Sequence, residues 1–66
     1  MKLDVKAVRL AMIDKELNIT SLSKISGIST ATLNLWLNHG TQPRIDKIGK
    51  LSAALGLPIT ALLKED

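Results

Sequence analysis

The sequence predicts an all-α protein, a compact bundle of five helices in which the second and third form a helix-turn-helix. Apolar residues recur at three- and four-residue spacing in several separate segments, as they do on the buried sides of helices. β-branched residues do not alternate with polar ones over any useful length, so the sequence predicts no strands. Gly27 interrupts the second segment, and Gly56 follows the fourth where a left-handed residue ends a helix.

Length and composition limit what the chain can be. Its 66 residues predict one domain spanning 1–66 with a marginal core, because so short a chain buries only about 60% of its unfolded surface. The lack of cysteine excludes disulfides and thiolate metal sites. No apolar run is long enough for a signal peptide or a membrane span, so we expect a cytoplasmic protein that makes no membrane contact. The net charge of +3 is compatible with a polyanionic partner.

Helix 1 is predicted to run from Val5 to Glu16, with Asp4 as its N-cap. One side carries the residues expected in the core: Val5, Val8, Ala11 and Met12. A second apolar stripe holds Leu3, Leu10, Ile13 and Leu17. We expect Leu17 to join the core. Leu10 and Ile13 are either partly covered by the C-terminal segment or form a contact surface for an oligomer or a partner.

Two short helices follow, separated by a glycine turn. Helix 2 is capped by Asn18 and ends at Ser26, with Leu22 and Ile25 on its apolar side. Gly27 and Ile28 interrupt it. Ser29 can cap helix 3, which spans about Thr30 to Asn38 and directs three residues inward: Leu33, Trp36 and Leu37. Such a helix-turn-helix usually places its second helix in the major groove of DNA.

The remaining third of the chain predicts a loop and two helices. The segment from His39 to Pro43 is polar and contains Gly and Pro, as loops do. Helix 4 runs from about Arg44 to Leu55, with apolar residues at helical spacing: Ile45, Ile48, Leu51 and Leu55. Pro58 opens a last short helix whose inward residues are Ile59, Leu62 and Leu63.

This order of helices resembles the Cro and repressor family of lambdoid phages and their bacterial relatives, the XRE family. The resemblance covers nearly the whole chain and rests on the spacing of one set of residues: Leu22, Gly27, Ile28, Ser29, Leu33, Trp36, Pro43, Leu51, Ala54, Leu55, Gly56, Leu57, Leu62 and Leu63. It implies the lambda-repressor-like fold and a sequence-specific transcriptional regulator that binds operator DNA as a homodimer. The chain has no room for an effector domain, so we expect a Cro-like repressor.

Several positions depart from the family pattern. Ile19 stands where the family usually has a Gln that helps to bind a phosphate. Met12 and Leu37 stand where the family often has an Arg and a Glu that form an ion pair, so we expect an apolar contact in its place. The family tends to have Gly where His39 sits, and Gly40 can take over the left-handed position. The family usually dimerises through its C-terminal helix region, here Leu57 to Leu63, and Leu10 with Ile13 is the competing surface.

The resemblance also assigns candidate DNA contacts. Its base-contacting positions fall on Thr30, Ala31, Asn34 and Leu35, a set without Arg, Lys, Gln or Glu. Asn can pair with adenine, and methyl groups can meet the thymine methyl. The alternative to base contact is that this face is an ordinary polar surface that also carries one leucine. The phosphate-contacting candidates flank this face: Asn18, Thr32, Asn38, Thr41, Gln42, Arg44 and Lys47.

The sequence offers little to any other function. It contains no nucleophile with a base, no paired acids and no phosphate-binding loop, so we expect no enzyme. His39 is a lone histidine, and we expect no metal, cofactor or small-molecule ligand. The alternative to a DNA-binding regulator is a protein-interaction module with a helix-turn-helix fold, such as an antirepressor or an antitoxin component. The neutral face of helix 3 favours that alternative, whereas the net charge, Arg44 and Lys47 favour DNA.

Overall fold

A computed structural model describes residues 1–65, and it confirms the all-α bundle with five helices. They are α1 (Val5–Asp14), α2 (Ile19–Ser26), α3 (Thr30–Asn38), α4 (Ile45–Leu55) and α5 (Ile59–Leu62). The expectation of no strands was wrong at the two ends of the fold. There β1 (Lys2–Leu3) pairs antiparallel with β2 (Leu63–Lys64), with Leu3 opposite Leu63. Two-residue strands are too short for any alternating pattern to show in a sequence.

Side-chain caps explain where the first three helices begin. The Asp4 carboxylate accepts from the N–H of Ala7 at 3.1 Å, and the Ser29 hydroxyl accepts from the N–H of Thr32 at 3.1 Å. Asn18 forms a reciprocal capping box with Ser21, because each side chain accepts from the other residue's backbone N–H at 2.8 Å. Each cap satisfies a donor that the first helical turn leaves unpaired.

The predicted end of helix 1 at Glu16 was two residues too late. α1 ends at Asp14, and Glu16 adopts a left-handed conformation with φ of 55°. The N–H of Leu17 then donates back to the carbonyl of Met12 at 2.8 Å, which satisfies one of the last helical carbonyls. Glu16 takes the position that glycine usually holds. Gly27 and Gly56, with φ of 75° and 67°, end α2 and α4 as the sequence predicted.

One buried cluster holds the helices together, and all five helices contribute to it. Its residues are Leu3, Val8, Ala11, Met12, Leu22, Ile28, Leu33, Trp36, Leu37, Leu51, Leu55 and Leu62. Leu17 packs against it as expected. Met12 and Leu37, the positions of the family's ion pair, are both almost fully buried, which confirms that apolar side chains occupy that region.

Three isoleucines and one leucine predicted to face inward do not. Ile25 is 55% exposed because the buried side of α2 is centred between Leu22 and Ser26, one turn apart. Ile45 is 74% exposed because it lies in the first turn of α4, off the line of buried residues that follows. Ile59 is exposed and Leu63 is half-buried, because the single turn of α5 buries only Leu62 and the chain then becomes β2.

Candidate nucleic-acid interface

The exposed side of α3 carries all four predicted base-contacting residues. Thr30, Ala31, Asn34 and Leu35 are exposed, and the opposite side of the helix is sealed against the core by Leu33, Trp36 and Leu37. α3 therefore has one exposed side and one buried side, as the sequence predicted. Leu35 is 45% exposed, so this surface presents apolar area to solvent without any charged group of its own.

A hydrogen-bonded chain of three side chains crosses from α1 to this face. Nη2 of Arg9 donates to the backbone carbonyl of Leu37 at 3.0 Å and to Oδ1 of Asn38 at 2.6 Å. Nδ2 of Asn38 in turn donates to Oδ1 of Asn34, one helical turn earlier. Arg9 was not among the predicted site residues, because the contact joins residues 29 positions apart and no local pattern marks it.

Two of the predicted phosphate contacts are already engaged within the protein. Oε1 of Gln42 accepts from the backbone N–H of Leu3 at 2.8 Å, and its Nε2 donates to the carbonyl of Gly40 at 3.2 Å. Oδ1 of Asn38 accepts from Arg9, and its Nδ2 donates to Asn34. Both side chains therefore have structural partners that a phosphate would have to share or displace.

Other candidates near the start of α2 and α3 serve as caps or support them. Oδ1 of Asn18 is used in the capping box, and the hydroxyl of Thr32 accepts from the Ser29 hydroxyl at 2.9 Å. Thr41 lies in the exposed loop after α3, where its N–H donates to the carbonyl of Leu35 at 3.2 Å.

Arg44 and Lys47 provide positive charge at the start of α4. The Arg44 side chain is 89% exposed, and its Nε lies 4.0 Å from Oδ1 of the exposed Asp46, a surface pair that contributes little to stability. Arg44 is also the N-cap of α4, but its side chain makes no capping hydrogen bond. No side chain therefore caps the start of α4, where the N–H of Lys47 donates to the carbonyl of Arg44 at 3.0 Å and the N–H groups before it point to the positive end of the helix.

The rest of the described chain contains a groove and no cluster of metal-binding side chains. Within residues 1–65 there is no group of three or more His, Cys, Asp or Glu side chains that could hold a metal ion. A groove of about 560 Å³ runs between α1 and the C-terminal part of the fold, and Leu10, Leu55 and Leu57 are among the residues that line it. In this same part, no helix is long and apolar enough to cross a membrane.

Comparison with known protein families decides the class. Residues 8–64 match a family described as the Cro/C1-type HTH DNA-binding domain. The chain belongs to the Cro/C1-type helix-turn-helix family. Comparison with curated proteins and with solved structures gave no significant match.

The family match supports both the fold and the class of function. It runs from within α1 to the last residue of β2, so it includes most of α1, all of the other four helices and the whole helix-turn-helix. The resemblance inferred from the sequence is thereby confirmed, and this Cro/C1-type domain is a DNA-binding module. In such modules the second helix of the motif, here α3, is the one that enters the major groove.

Proposed function

We propose that the protein is a Cro-like transcriptional repressor of the cytoplasm, which binds operator DNA as a homodimer with α3 in the major groove. The observation that carries this proposal is the division of α3: its outer side is exposed from Thr30 to Leu35, while its inner side is sealed into the core of a Cro/C1-type domain. A recognition helix needs such an exposed side, because only side chains that are not buried in the core can reach the edges of the bases.

Electrostatic attraction to the phosphates comes from outside α3 in this proposal. Arg44 and Lys47 lie on α4, and Arg44 is almost fully exposed. The open N–H groups at the start of α4 add donors beside Arg44. Asn18, Thr32, Asn38, Thr41 and Gln42 remain candidate phosphate contacts. Asn38 and Gln42 are the weaker ones because both the oxygen and the nitrogen of each side-chain amide have partners within the protein.

Dimerisation would give the selectivity that one module lacks. A single small module buries about 600–1,000 Å² of interface with DNA, which is a small area for sequence-specific binding. A two-fold dimer doubles that area and places two recognition helices about 34 Å apart, one turn of DNA.

The surface of α1 suits a dimer interface better than the C-terminal region does. Leu62 is fully buried, and Leu63 is paired with Leu3 in the small sheet, so both are already used within the chain. Leu10 and Ile13 are 53% and 70% exposed on neighbouring turns of α1. We therefore place the dimer interface on the α1 surface, which we define as Lys6, Ala7, Leu10, Ile13 and Asp14.

This α1 surface is complementary to a second copy of itself. In a two-fold interface, each contact between residue i and residue j occurs twice. If two α1 helices cross antiparallel at Leu10, then Lys6 of each copy lies opposite Asp14 of the other, and Ala7 lies opposite Ile13. Lys6 and Asp14 are exposed, and neither forms an ion pair within the described chain. This antiparallel arrangement therefore buries the exposed Leu10 and pairs Lys6 of each copy with Asp14 of the other.

Selection of bound sequences from random duplex DNA, at low and at moderate salt, tests the function. A repressor of this kind should enrich a two-fold related sequence whose half-sites lie about one DNA turn apart. Enrichment of no sequence by the folded protein at low salt would contradict the proposal.

One observation favours a second candidate, a protein-interaction module that keeps the fold. The outer side of α3 has no cation, and its exposed Leu35 is a group that protein interfaces bury readily. Failure of the selection, together with a tight protein complex that Leu35→Glu abolishes, would establish this second function.

A further inference from the structure

We propose that Arg9 is a positioning residue for base recognition: through Asn38 it fixes which way the amide of Asn34 faces the DNA. The proposal rests on the proposed function, in which α3 enters the major groove. Arg9 itself lies on α1, outside the helix-turn-helix, and makes no contact with a base.

The chemistry of arginine determines the orientation of both amides. A guanidinium group is a donor only, so the atom of Asn38 that meets Nη2 of Arg9 at 2.6 Å must be its carbonyl oxygen. The amide nitrogen of Asn38 is then directed along α3 toward Asn34. It can only donate, so Asn34 must present its own oxygen to it. One fixed donor on α1 thus sets two amides that could otherwise each adopt either orientation.

Arg9, the first residue of this series of hydrogen bonds, is held in place by a second bond. Nη2 of Arg9 also donates to the backbone carbonyl of Leu37 at 3.0 Å, at the C-terminal end of α3, where carbonyls lack helical partners. A cation at that end of a helix is favourable because the helix dipole is negative there. Arg9 is therefore attached to the backbone as well as to the side chain of Asn38, and charge-assisted bonds of this kind are stronger than neutral ones.

The consequence is a defined donor on the outer side of α3. With its oxygen committed to Asn38, Asn34 offers Nδ2 as the free group. That donor can meet an acceptor in the major groove, such as O4 of thymine, O6 of guanine or N7 of a purine. It cannot meet N4 of cytosine, which is a donor. The geometry therefore points to thymine being accepted and cytosine rejected at the contacted position, with adenine tolerated through N7.

A single substitution should invert this preference. In Asn38→Asp, the carboxylate accepts from Arg9 and also accepts from Nδ2 of Asn34, so the Asn34 amide turns over and exposes its oxygen. An exposed oxygen favours N4 of cytosine and repels O4 of thymine. Arg9→Met removes the donor, so the amides of Asn38 and Asn34 can adopt either orientation. Discrimination between thymine and cytosine should therefore fall. Arg9→Lys keeps a donor and should keep most of the preference.

The experiment measures binding of each protein to duplexes that differ only by thymine or cytosine at the position Asn34 contacts. That position is located in the selected half-site by Asn34→Ala. We expect the wild type to prefer thymine by about fivefold, the ratio expected for one net hydrogen bond, and Asn38→Asp to prefer cytosine. Comparing the two duplexes with the same protein cancels the effect of changed charge on overall affinity. Lys64→Met, an exposed charge loss on β2, should keep the wild-type ratio.

A measurement without DNA tests the network itself. The side-chain amide resonances of Asn34 in the free protein should shift in Arg9→Met and in Asn38→Asp, and stay nearly unchanged in Arg9→Lys. Selective binding by the wild type with one common thymine-to-cytosine ratio in all variants would overturn this inference and leave the proposed function intact. A wild type that binds no duplex at low salt would overturn both.

Discussion

Oε1 of Gln42 accepts a hydrogen bond from the backbone N–H of Leu3 at 2.8 Å, which joins the loop after α3 to the first strand. Leu3 is almost fully buried, so its N–H has little access to water if this acceptor is lost. Gln42→Ala should therefore lower the free energy of unfolding by about 1–3 kcal/mol, the cost of an unsatisfied buried donor. Urea denaturation followed by circular dichroism measures this directly.

Gln42→Glu is the comparison for that substitution, because a carboxylate also accepts from the N–H of Leu3 but loses the exposed bond from Nε2 to the carbonyl of Gly40. Its stability should lie closer to that of the wild type than the stability of Gln42→Ala does. Equal stability of Gln42→Ala and the wild type would show that the bond contributes nothing, and Gln42 would then be free to serve as a phosphate contact.

The buried positions Met12 and Leu37 lead to a second prediction. Both are almost fully buried in the same cluster, where the family often has an ion pair. Leu37→Glu should place an unpaired carboxylate in the core and lower the free energy of unfolding by about 3–5 kcal/mol. Leu35→Glu, on the exposed side of the same helix, is the control and should change stability by less than about 0.5 kcal/mol.

A double substitution tests whether these two side chains are neighbours. If Met12 and Leu37 are in contact, Met12→Arg should restore part of the stability that Leu37→Glu removes, because the new charges pair with each other. Thermal unfolding of the wild type, both single variants and the double variant gives the interaction energy. Simple additivity of the two losses would place the side chains apart.

Short-range patterns in the sequence predict where most of the helices begin and end. Asn18 and Ser29 were recognised as caps, and Gly27 and Gly56 as helix ends, because each effect depends on atoms only a few residues away. The end of α1 was missed because Glu16 adopts a conformation that its type rarely adopts. Ile25 and Ile45 were placed in the core because their spacing fits a helix, yet spacing does not tell which side of a wide apolar stripe the neighbours cover.

The candidate site was predictable only in part, for a related reason. Which residues lie on the outer side of α3 follows from helical periodicity, and Thr30, Ala31, Asn34 and Leu35 are exposed as predicted. The bonds from Arg9 to Asn38 and from Leu3 to Gln42 join residues 29 and 39 positions apart. Such contacts depend on how the helices pack, so no local pattern could have marked Arg9 as part of the site.

Arg44 should control the strength of binding without controlling its specificity. Its side chain is 89% exposed and α3 supplies no cation, so we expect Arg44 to contact a phosphate. For about three to five phosphates neutralised per subunit, the logarithm of affinity should fall against the logarithm of salt with a slope of about −0.9 per phosphate. Arg44→Ala should weaken binding to all sequences alike and flatten the slope by about one unit.

Fluorescence anisotropy with operator and scrambled duplexes over a series of salt concentrations gives both quantities. Lys64→Ala, which removes an exposed charge from β2, is the control and should leave the slope unchanged. An Arg44→Ala protein that keeps the slope but loses selectivity would show that Arg44 contacts a base instead.

The proposed dimer predicts a loss and a rescue at the α1 surface. Leu10→Glu should produce a monomer, because two copies of the new charge would be buried against each other at the two-fold axis. Ile13→Glu should also produce a monomer, because it would bury a charge against Ala7 of the second copy. Ile59→Glu, at an exposed position of α5, is the control and should leave the dimer intact. Sedimentation velocity of the free proteins and of their DNA complexes reports the assembly state.

Charge exchange makes the same test more specific. Lys6→Asp should weaken the dimer by placing it opposite Asp14 of the second copy, and the double variant Lys6→Asp with Asp14→Lys should restore it. Dissociation by Ile59→Glu, with no effect of Leu10→Glu, would move the interface to the C-terminal region. A wild type that is monomeric both free and on DNA would exclude the dimer.

The composition of the outer side of α3 predicts which bases the protein prefers. Asn34 is the one residue there with an amide, Ala31 and Leu35 offer methyl groups that suit the thymine methyl, and Thr30 can bond to either base type. None of the four can form the Arg or Lys contact by which guanine is most often recognised. We therefore expect selected half-sites with a contacted core rich in A·T pairs. Asn34→Ala should relax the preference at one position, with a loss of about 1 kcal/mol of discrimination, the value of one net hydrogen bond. Leu35→Ala should reduce the preference for a neighbouring thymine. Sequencing the duplexes selected by each variant, beside Ile25→Ala as an exposed control on α2, measures both effects. A guanine-rich core in the selected half-sites would contradict this assignment of the contacts, because no side chain on the outer side of α3 can form the two-bond contact to guanine O6 and N7 that arginine or lysine makes.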